Sequence, residues 1–195
     1  MLSSIMRIIA GSARGIHLHI PGHDIRPTTE LTRGAIFSAL ADRIPGARVL
    51  DLFAGSGALG LEALSRGAGV VCFVESNARC IRAIQNNLQK THLPGEIRKE
   101  DVFHFLRRDQ QEWDLIFADP PYAKYTGDLD YGDQLLHSQE LPHRLAPDGL
   151  LILERAVAKG KSLRLPPNWI LTKTKQYGST EVLFIANRSD ATVSL

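Results

Sequence analysis

The chain has 195 residues, of which 44% are hydrophobic and 23% are charged, and its net charge is +2. These proportions are ordinary for one soluble globular domain, and the longest apolar run is far short of a membrane span. Residues 1–7 lack the apolar stretch of a signal peptide, and the two cysteines make neither a disulfide framework nor a set of metal ligands. We therefore expect a cytoplasmic protein with no membrane segment and no metal.

Charge is distributed unevenly along the chain. Residues 1–48 carry six arginines against three acids, and residues 155–188 carry seven cationic side chains against one acid, so the middle is acidic. Basic flanks around an acidic centre fit a polyanionic substrate that is held by the flanks. A solvated surface of mixed charge explains the same pattern, and charge alone does not separate the two interpretations.

The first 45 residues predict a small extension before the main domain. Residues 6–10 and 15–20 have the alternation of a β-hairpin. A helix is predicted over 29–41, with Thr28 or Thr29 as its N-cap, because threonine oxygens accept hydrogen bonds from the first free backbone amides of a helix.

From residue 47 to residue 118 the sequence alternates between strand and helix patterns. The predicted strands are 47–53, 69–75, 95–99 and 113–118, and the predicted helices are 58–66, 77–91 and 102–109. Such alternation implies a parallel sheet covered by helices on both sides.

The last third of the chain departs from this alternation. Residues 123–133 form a polar loop, which is either a lid on the substrate side or an uninvolved surface loop. This loop and Pro142 argue against a regular fifth helix. A strand is predicted over 150–153, followed by an antiparallel hairpin from 169–175 and 181–185. The predicted units are an extension over 1–45, a main domain over 46–188 and a loose tail over 189–195.

A glycine-rich loop follows the first strand of the alternating region. Gly55 and Gly57 let the backbone turn tightly and let a ligand approach it without a Cβ in the way. Strand, glycine turn and helix are the opening of a Rossmann-like unit. The spacing to Gly60 also fits the dinucleotide fingerprint, so the loop alone does not decide between NAD and S-adenosylmethionine.

Asp51, four residues before Gly55, favours S-adenosylmethionine. A carboxylate at this strand end can bind the cationic amino-acid end of that cofactor, directly or through water. Beside the pyrophosphate of a dinucleotide the same charge would be repulsive. The alternative is a surface carboxylate at a strand terminus with no ligand.

Two further acids stand at the ends of later strands. Glu75 lies where a ribose diol is read in both cofactor classes, or it is only an acid at the start of a helix capped by Ser76 or Asn77. Asp101 lies where a carboxylate could accept the adenine amino group, and it could equally be the N-cap of residues 102–108.

The sequence Asp119-Pro120-Pro121-Tyr122 directly follows the apolar run 115–118. Asp119 can accept one N–H of an exocyclic amino group, the Pro120 carbonyl can accept the other, and Tyr122 can stack on the base. Proline has no N–H and a fixed φ, so the turn is stiff. The alternative is a proline-rich turn leaving a strand. Combined with the glycine loop, the tetrapeptide favours transfer to an amino group over hydride transfer.

Together these residues resemble the RsmD-type class I methyltransferases, which use S-adenosylmethionine to methylate guanine N2 in bacterial 16S ribosomal RNA. The resemblance runs from about residue 7 to residue 188, and its motifs lie at 7–11, 14–15, 26–29, 51–63, 75, 119–122 and 176–178. It implies a Rossmann-like α/β fold with a mostly parallel seven-stranded sheet, a C-terminal antiparallel hairpin, and a small N-terminal hairpin and helix.

The resemblance also implies roles for particular residues. The base is expected to contact Asp119, Pro120, Pro121 and Tyr122. The cofactor S-adenosylmethionine is expected to contact Arg26, Thr28, Thr29, Asp51, Phe53, Ala54, Gly55, Ser56, Gly57, Glu75, Ser76, Asp101, Val102 and Asp119. Residues 26–29 would in addition cover the site. The expected partner is 16S ribosomal RNA, within the small subunit or an assembly intermediate, with no obligate protein partner.

Three other functions are weighed against this one. An adenine-N6 DNA methyltransferase uses the same tetrapeptide but usually carries an added recognition domain, for which this chain has no room. A non-catalytic RNA-binding assembly factor would not need an intact glycine loop and an intact tetrapeptide. An NAD-dependent dehydrogenase would need an acid or base at a hydride site, and none is found.

Overall fold

The computed structural model describes residues 6–22, 29–122, 129–157 and 164–188. The strands are β1 (Met6–Arg7), β2 (His17–Leu18), β3 (Arg48–Leu52), β4 (Val70–Glu75), β5 (Glu96–Lys99), β6 (Trp113–Ala118), β7 (Leu145–Ala156), β8 (Trp169–Tyr177) and β9 (Thr180–Asn187). The α-helices are α1 (Glu30–Ala39), α2 (Ala58–Ser65), α3 (Ala78–Thr91), α4 (Val102–Arg108) and α5 (Tyr131–Leu136).

Seven strands form the central sheet, in the order β5-β4-β3-β6-β7-β9-β8. The first five strands in this order are parallel, and β9 is antiparallel to both of its neighbours. The predicted Rossmann-like sheet with a C-terminal antiparallel hairpin is therefore confirmed. The carboxyl ends of β4, β3, β6 and β7 meet at one edge, where sheets of this kind bind ligands.

Helices cover both faces of the sheet, and each face has its own core. One core joins the sheet to α1, α2, α3 and the N-terminal hairpin, and it includes Phe37, Leu61, Ile84 and Phe117. The rings of Phe37 and Phe117 lie 5.5 Å apart between centroids. The opposite core includes Phe105, Trp113, Leu135 and Trp169.

The N-terminal extension is present, but its strands are shorter than predicted. Only Met6–Arg7 and His17–Leu18 pair as strands, and the residues between them turn back through hydrogen bonds such as Ile8 N–H to the Ile16 carbonyl at 3.0 Å. The helix that follows begins after Thr29, whose hydroxyl oxygen accepts from the Thr32 amide at 3.1 Å.

In the last third of the chain one predicted strand is longer than expected, and the expectation of no regular fifth helix is wrong. The strand predicted over 150–153 is the central part of β7, which begins at Leu145 and ends at Ala156. Its pairing with β6 changes register between Trp113 and Leu115. Sequence patterns missed this because Pro147, Asp148 and Gly149 look like a turn. A short fifth helix, α5, begins inside the predicted polar loop and is capped by Asp130, whose side chain accepts from the Asp133 amide at 3.0 Å.

The loop residues 123–128 and the tail 189–195 lie outside the described residues. Within the described ranges, no helix combines the length and apolar character needed to cross a bilayer. In that same part of the chain, no three His, Cys, Asp or Glu side chains are grouped as metal ligands. Cys72 and Cys80 are buried free thiols, and burial raises their pKa values to about 12 and about 11.

Candidate functional site

Three residues of the loop that follows β3 have the left-handed backbone conformation. Phe53 has a φ of 54°, Gly55 of 56° and Gly57 of 77°. A Cβ on Gly57 would lie 3.2 Å from Ile84 and from Phe73, so glycine is needed there for space as well as for backbone conformation. A Cβ on Gly55 would meet only the Phe53 carbonyl oxygen, at 3.9 Å, so no side chain crowds the backbone at this position. A ligand could therefore approach the loop closely.

Glu75, at the end of β4, supports this loop. One carboxylate oxygen accepts from the Gly55 amide at 2.9 Å, and the other accepts from the Asn77 amide at 2.8 Å. Asn77 rather than Ser76 caps α3. Glu75 therefore contacts both the start of α3 and the glycine loop. A carboxylate has further lone pairs, which could accept hydrogen bonds from a ribose diol.

Asp51 is buried, with 2% of its surface exposed, so the interpretation of it as a surface carboxylate is wrong. Its side chain accepts from the Gly60 amide at 2.9 Å and so fixes the first turn of α2. Burial raises the pKa of the Asp51 carboxyl well above its usual range, and the nearby charges of Asp119 and Glu75 raise it further. A cation bound beside this cluster would favour the ionised form.

Three acids form a row along the edge of the sheet. The backbone register places Phe73, Phe117 and Ile152 at one level of their strands. Glu75 and Glu154 come two residues later on β4 and β7, and Asp119 directly follows the last residue of β6, where its charge and that of Glu75 both act on Asp51. The glycine loop leaves the sheet between the first two. The structure therefore brings the predicted loop, the predicted ribose acid and the predicted tetrapeptide to one edge.

The tetrapeptide lies at the end of β6. Asp119 and Tyr122 are half-buried, Pro120 is buried and Pro121 is exposed. The Tyr122 hydroxyl donates to Glu154 at 3.2 Å and lies 3.4 Å from the hydroxyl of Thr180. Burial raises the pKa of the Tyr122 phenol, and the charges of Glu154 and Asp119 add to the shift. The tyrosine is therefore neutral and held at its hydroxyl end.

Asp101 and the residues after it form the opposite part of the site. The Asp101 side chain accepts from the His104 amide at 3.0 Å, so it does cap α4. This cap leaves the predicted contact with an adenine amino group as a prediction. Val102 is buried, while Phe103 is half-buried and lies against Phe53 and Tyr131, with ring centroids 6.4 Å and 6.3 Å away. These rings make an apolar wall suited to a flat ring.

The N-terminal extension reaches the glycine loop. The side chain of Asn87, fully buried on α3, accepts from the His19 amide at 2.7 Å and donates to the His19 carbonyl at 3.0 Å. The same amide group donates to the Ser56 carbonyl at 2.9 Å. Thr29 caps α1, whereas Arg26 and Thr28 lie outside the described residues, so the covering role of 26–29 stays a prediction.

Several residues of this region were missed by sequence reasoning: Asn87, Phe103, Tyr131, Glu154 and Thr180. Most are polar residues inside apolar helix or strand patterns, where a pattern does not show which partner the fold brings. One signal was available for Glu154, because an acid that follows an apolar strand resembles Glu75 and Asp119.

Comparisons with known proteins identify the family of this chain. The family model described as conserved hypothetical protein 95 matches residues 6–186. Ribosomal RNA small subunit methyltransferase D of Escherichia coli (strain K12) is 36% identical over 90% of this chain and 87% of its own length. The protein of that name from Haemophilus influenzae is 33% identical, with 89% of each chain covered. The solved structure of a putative methylase from Haemophilus influenzae has a TM-score of 0.75 at 30% identity, covering 94% of this chain and 99% of that one. The resemblance drawn from the sequence is thus confirmed, and the chain belongs to the conserved hypothetical protein 95 family of RsmD-type class I methyltransferases.

Proposed function

We propose that this protein transfers a methyl group from S-adenosylmethionine to the exocyclic N2 of a guanine in 16S ribosomal RNA of the small subunit, in the cytoplasm. One observation carries the proposal: the tetrapeptide 119–122 ends the strand next to β3, from which the glycine loop leaves. A base held by the tetrapeptide would therefore lie beside a cofactor held by the loop. The names of the relatives support ribosomal RNA of the small subunit as the substrate class.

The residues around the loop fit S-adenosylmethionine. The cofactor is a cation that carries its methyl group on a positively charged sulfur. Asp51, Glu75 and Asp119 place three carboxyl groups around the loop, which favours a cation and opposes a pyrophosphate. Glu75 would hold the ribose, and Asp101 with Val102 the adenine edge. Thr29, with Arg26 and Thr28, would cover the site.

The tetrapeptide would bind the base and orient its amino group. An aromatic amine is a poor nucleophile because its lone pair is shared with the ring. Hydrogen bonds from the two N–H groups to Asp119 and to the Pro120 carbonyl would favour a pyramidal nitrogen and aim its lone pair. Holding reactants in this way can contribute up to about 7–11 kcal/mol. Tyr122 would stack on the base, which must leave its own stack to enter the site.

The alternative functions have weaker support. An adenine-N6 DNA methyltransferase could share the tetrapeptide, but the relatives compared above are named for ribosomal RNA. A non-catalytic assembly factor would not need the carboxylates of Glu75 and Asp119 beside the glycine loop and Asp51.

The test is transfer of labelled methyl from S-adenosylmethionine to unmethylated 30S subunits, naked 16S RNA and duplex DNA in parallel, followed by nucleoside analysis. Label in N2-methylguanosine is the expected result, and the better of the two RNA substrates shows which assembly state is used. Label in N6-methyladenine of DNA would overturn the proposal. Cofactor binding with no transfer to any of the three would also count against it and favour the non-catalytic function.

A further inference from the structure

We propose that Glu154 and Thr180 are positioning residues for methyl transfer: they hold Tyr122 by its hydroxyl, so that its ring is fixed beside Asp119 before the target base arrives. The inference rests on the proposed function, because it assigns to Tyr122 the role of a stacking platform. It adds two positioning residues from β7 and β9 to a site whose proposed base contacts all follow the end of β6.

The direction of the hydrogen bonds follows from the chemistry of the groups. A carboxylate can only accept, so the single proton of the Tyr122 hydroxyl goes to Glu154, 3.2 Å away. The Thr180 hydroxyl, at 3.4 Å, then donates to the phenol oxygen. The tyrosine oxygen is thus held from two sides. A phenylalanine at this position would keep the stacking face and lose both bonds.

The two anchoring residues come from strands that pair with each other. Glu154 lies opposite Val182, and Ala156 opposite Thr180, so Glu154 and Thr180 project from the same face of the sheet. Asp119 follows the last residue of β6, and its charge acts on the Tyr122 phenol. Two paired strands, β7 and β9, therefore supply the groups that hold one hydroxyl close to the edge where the base would bind.

Glu154 is buried, which is unusual for an acidic side chain. The residue is 8% exposed, and a carboxylate in such a position costs stability unless it is hydrogen-bonded. An apolar residue would fill the same space at lower cost, because Val182 and Ile152 on this face are apolar and buried. The hydrogen bond from the Tyr122 hydroxyl offsets part of the cost of burying this acid.

The experiment compares single-turnover methyl transfer to 30S subunits, at saturating S-adenosylmethionine, among the wild type and matched variants. Tyr122→Phe removes only the hydroxyl, and we expect the transfer rate to fall about three- to tenfold, the value of one or two hydrogen bonds. Cofactor affinity and melting temperature should stay near those of the wild type. Glu154→Ala should lower the rate similarly, and Glu154→Gln, which keeps an acceptor oxygen, should lower it less.

The double variant Tyr122→Phe/Glu154→Ala separates positioning from general stability. Both changes break the same bond, so the double variant should be no slower than the slower single variant. The control is Glu181→Gln, which removes an acid paired with Arg155 on the opposite face and should change the rate by less than about twofold. If Glu154→Ala folds poorly, the comparison of Tyr122→Phe with Glu154→Gln still stands.

Two results would overturn the inference: a Tyr122→Phe variant as fast as the wild type, or losses that multiply in the double variant. Failure of the proposed function is a separate result, because it is judged from the nucleoside that the wild type produces. A wild type that labels a base other than guanine would refute that function, while the relative rates of the variants would still decide whether the hydroxyl is held for transfer.

Discussion

Replacing Glu62 by alanine should release the N-terminal extension from the rest of the protein. Glu62 is fully buried on α2, and its two oxygens accept from the Ile9 amide at 2.7 Å and the Ala10 amide at 3.1 Å. The second oxygen also accepts from Arg66 Nε at 2.7 Å. Arg33, fully buried on α1, lies close enough that the Glu62 charge opposes the lowering of its pKa by burial.

The change in the free energy of unfolding can be estimated from the groups that Glu62→Ala leaves without a partner. Breaking a buried ion pair from one side costs about 3–5 kcal/mol, and the charges that remain here are Arg66, which is 21% exposed, and the fully buried Arg33. Each of the two backbone amides would in addition lose an acceptor, at about 1–3 kcal/mol if no water replaces it. The terms overlap, since one carboxylate serves all of them, so we expect about 3–5 kcal/mol in the free energy of unfolding. That is a large share of the stability of an ordinary domain, about 5–15 kcal/mol.

The assay is urea unfolding followed by circular dichroism, with hydrogen exchange read at the amides of Ile9 and Ala10. Both amides should exchange much faster in Glu62→Ala, and Glu62→Gln, which keeps one acceptor oxygen, should be intermediate. Glu96→Gln is the control, because its ion pair with Arg98 is about half exposed and should be worth no more than about 1 kcal/mol. A loss below about 1 kcal/mol in Glu62→Ala, or unchanged exchange at both amides, would refute the reasoning.

Three further predictions concern the site and its support. Asp119→Ala should lower the methyl-transfer rate at saturating cofactor about a hundredfold or more, a larger effect than any weakening of cofactor binding measured by calorimetry, and Glu112→Gln, just before the other end of the same strand, should be normal; equal turnover at saturating cofactor would contradict the role of Asp119. Gly60→Ala should cost about 1–3 kcal/mol or more in denaturant, because its Cβ would lie 2.3 Å from the Phe73 ring, whereas Gly34→Ala, with nothing closer than 3.9 Å, should not destabilise. Asp51→Asn should stabilise the cofactor-free protein above about pH 4 and weaken cofactor binding. Because the pKa of Asp51 is higher in the folded protein than in the unfolded chain, the free energy of unfolding of the wild type falls as the pH rises above the unfolded-chain pKa. The melting temperature of Asp51→Asn should therefore exceed that of the wild type by an amount that grows from about pH 4 to about pH 7, and a constant difference would contradict this.

Local patterns were sufficient to predict the framework of the site. Strand and helix alternation, together with the N-caps at Thr29 and Asp101, depends on residues close in sequence, and each was found where predicted. The glycine loop was predictable for the same reason, because Gly55 and Gly57 adopt backbone conformations that other residues avoid. Strand ends and motifs also indicated Asp51, Glu75, Asp101 and the tetrapeptide, and the family resemblance added further cofactor contacts such as Arg26 and Thr28. All of these contacts with cofactor and base remain predictions.

Boundaries that depend on pairing were less predictable. The strand β7 is longer at both ends than the predicted strand 150–153, because β6 pairs with it on both sides of a register shift. Nothing in the sequence of 145–149 indicates a strand. The helix α5 is short and polar at its start, and it gains its buried positions, Leu135 and Leu136, only by packing on the sheet. Tertiary contacts of this kind override local propensity.

By itself, the sequence determined the fold class, the position of the cofactor loop and the position of the tetrapeptide, because each depends on residues within about one turn or strand of one another. Only the tertiary structure decided which acids are buried and what they hold. Glu62 meets amides more than 50 residues away, and Glu154 meets a tyrosine 32 residues away. Such partners are set by the packing of helices and the register of strands, and those are properties of the whole chain.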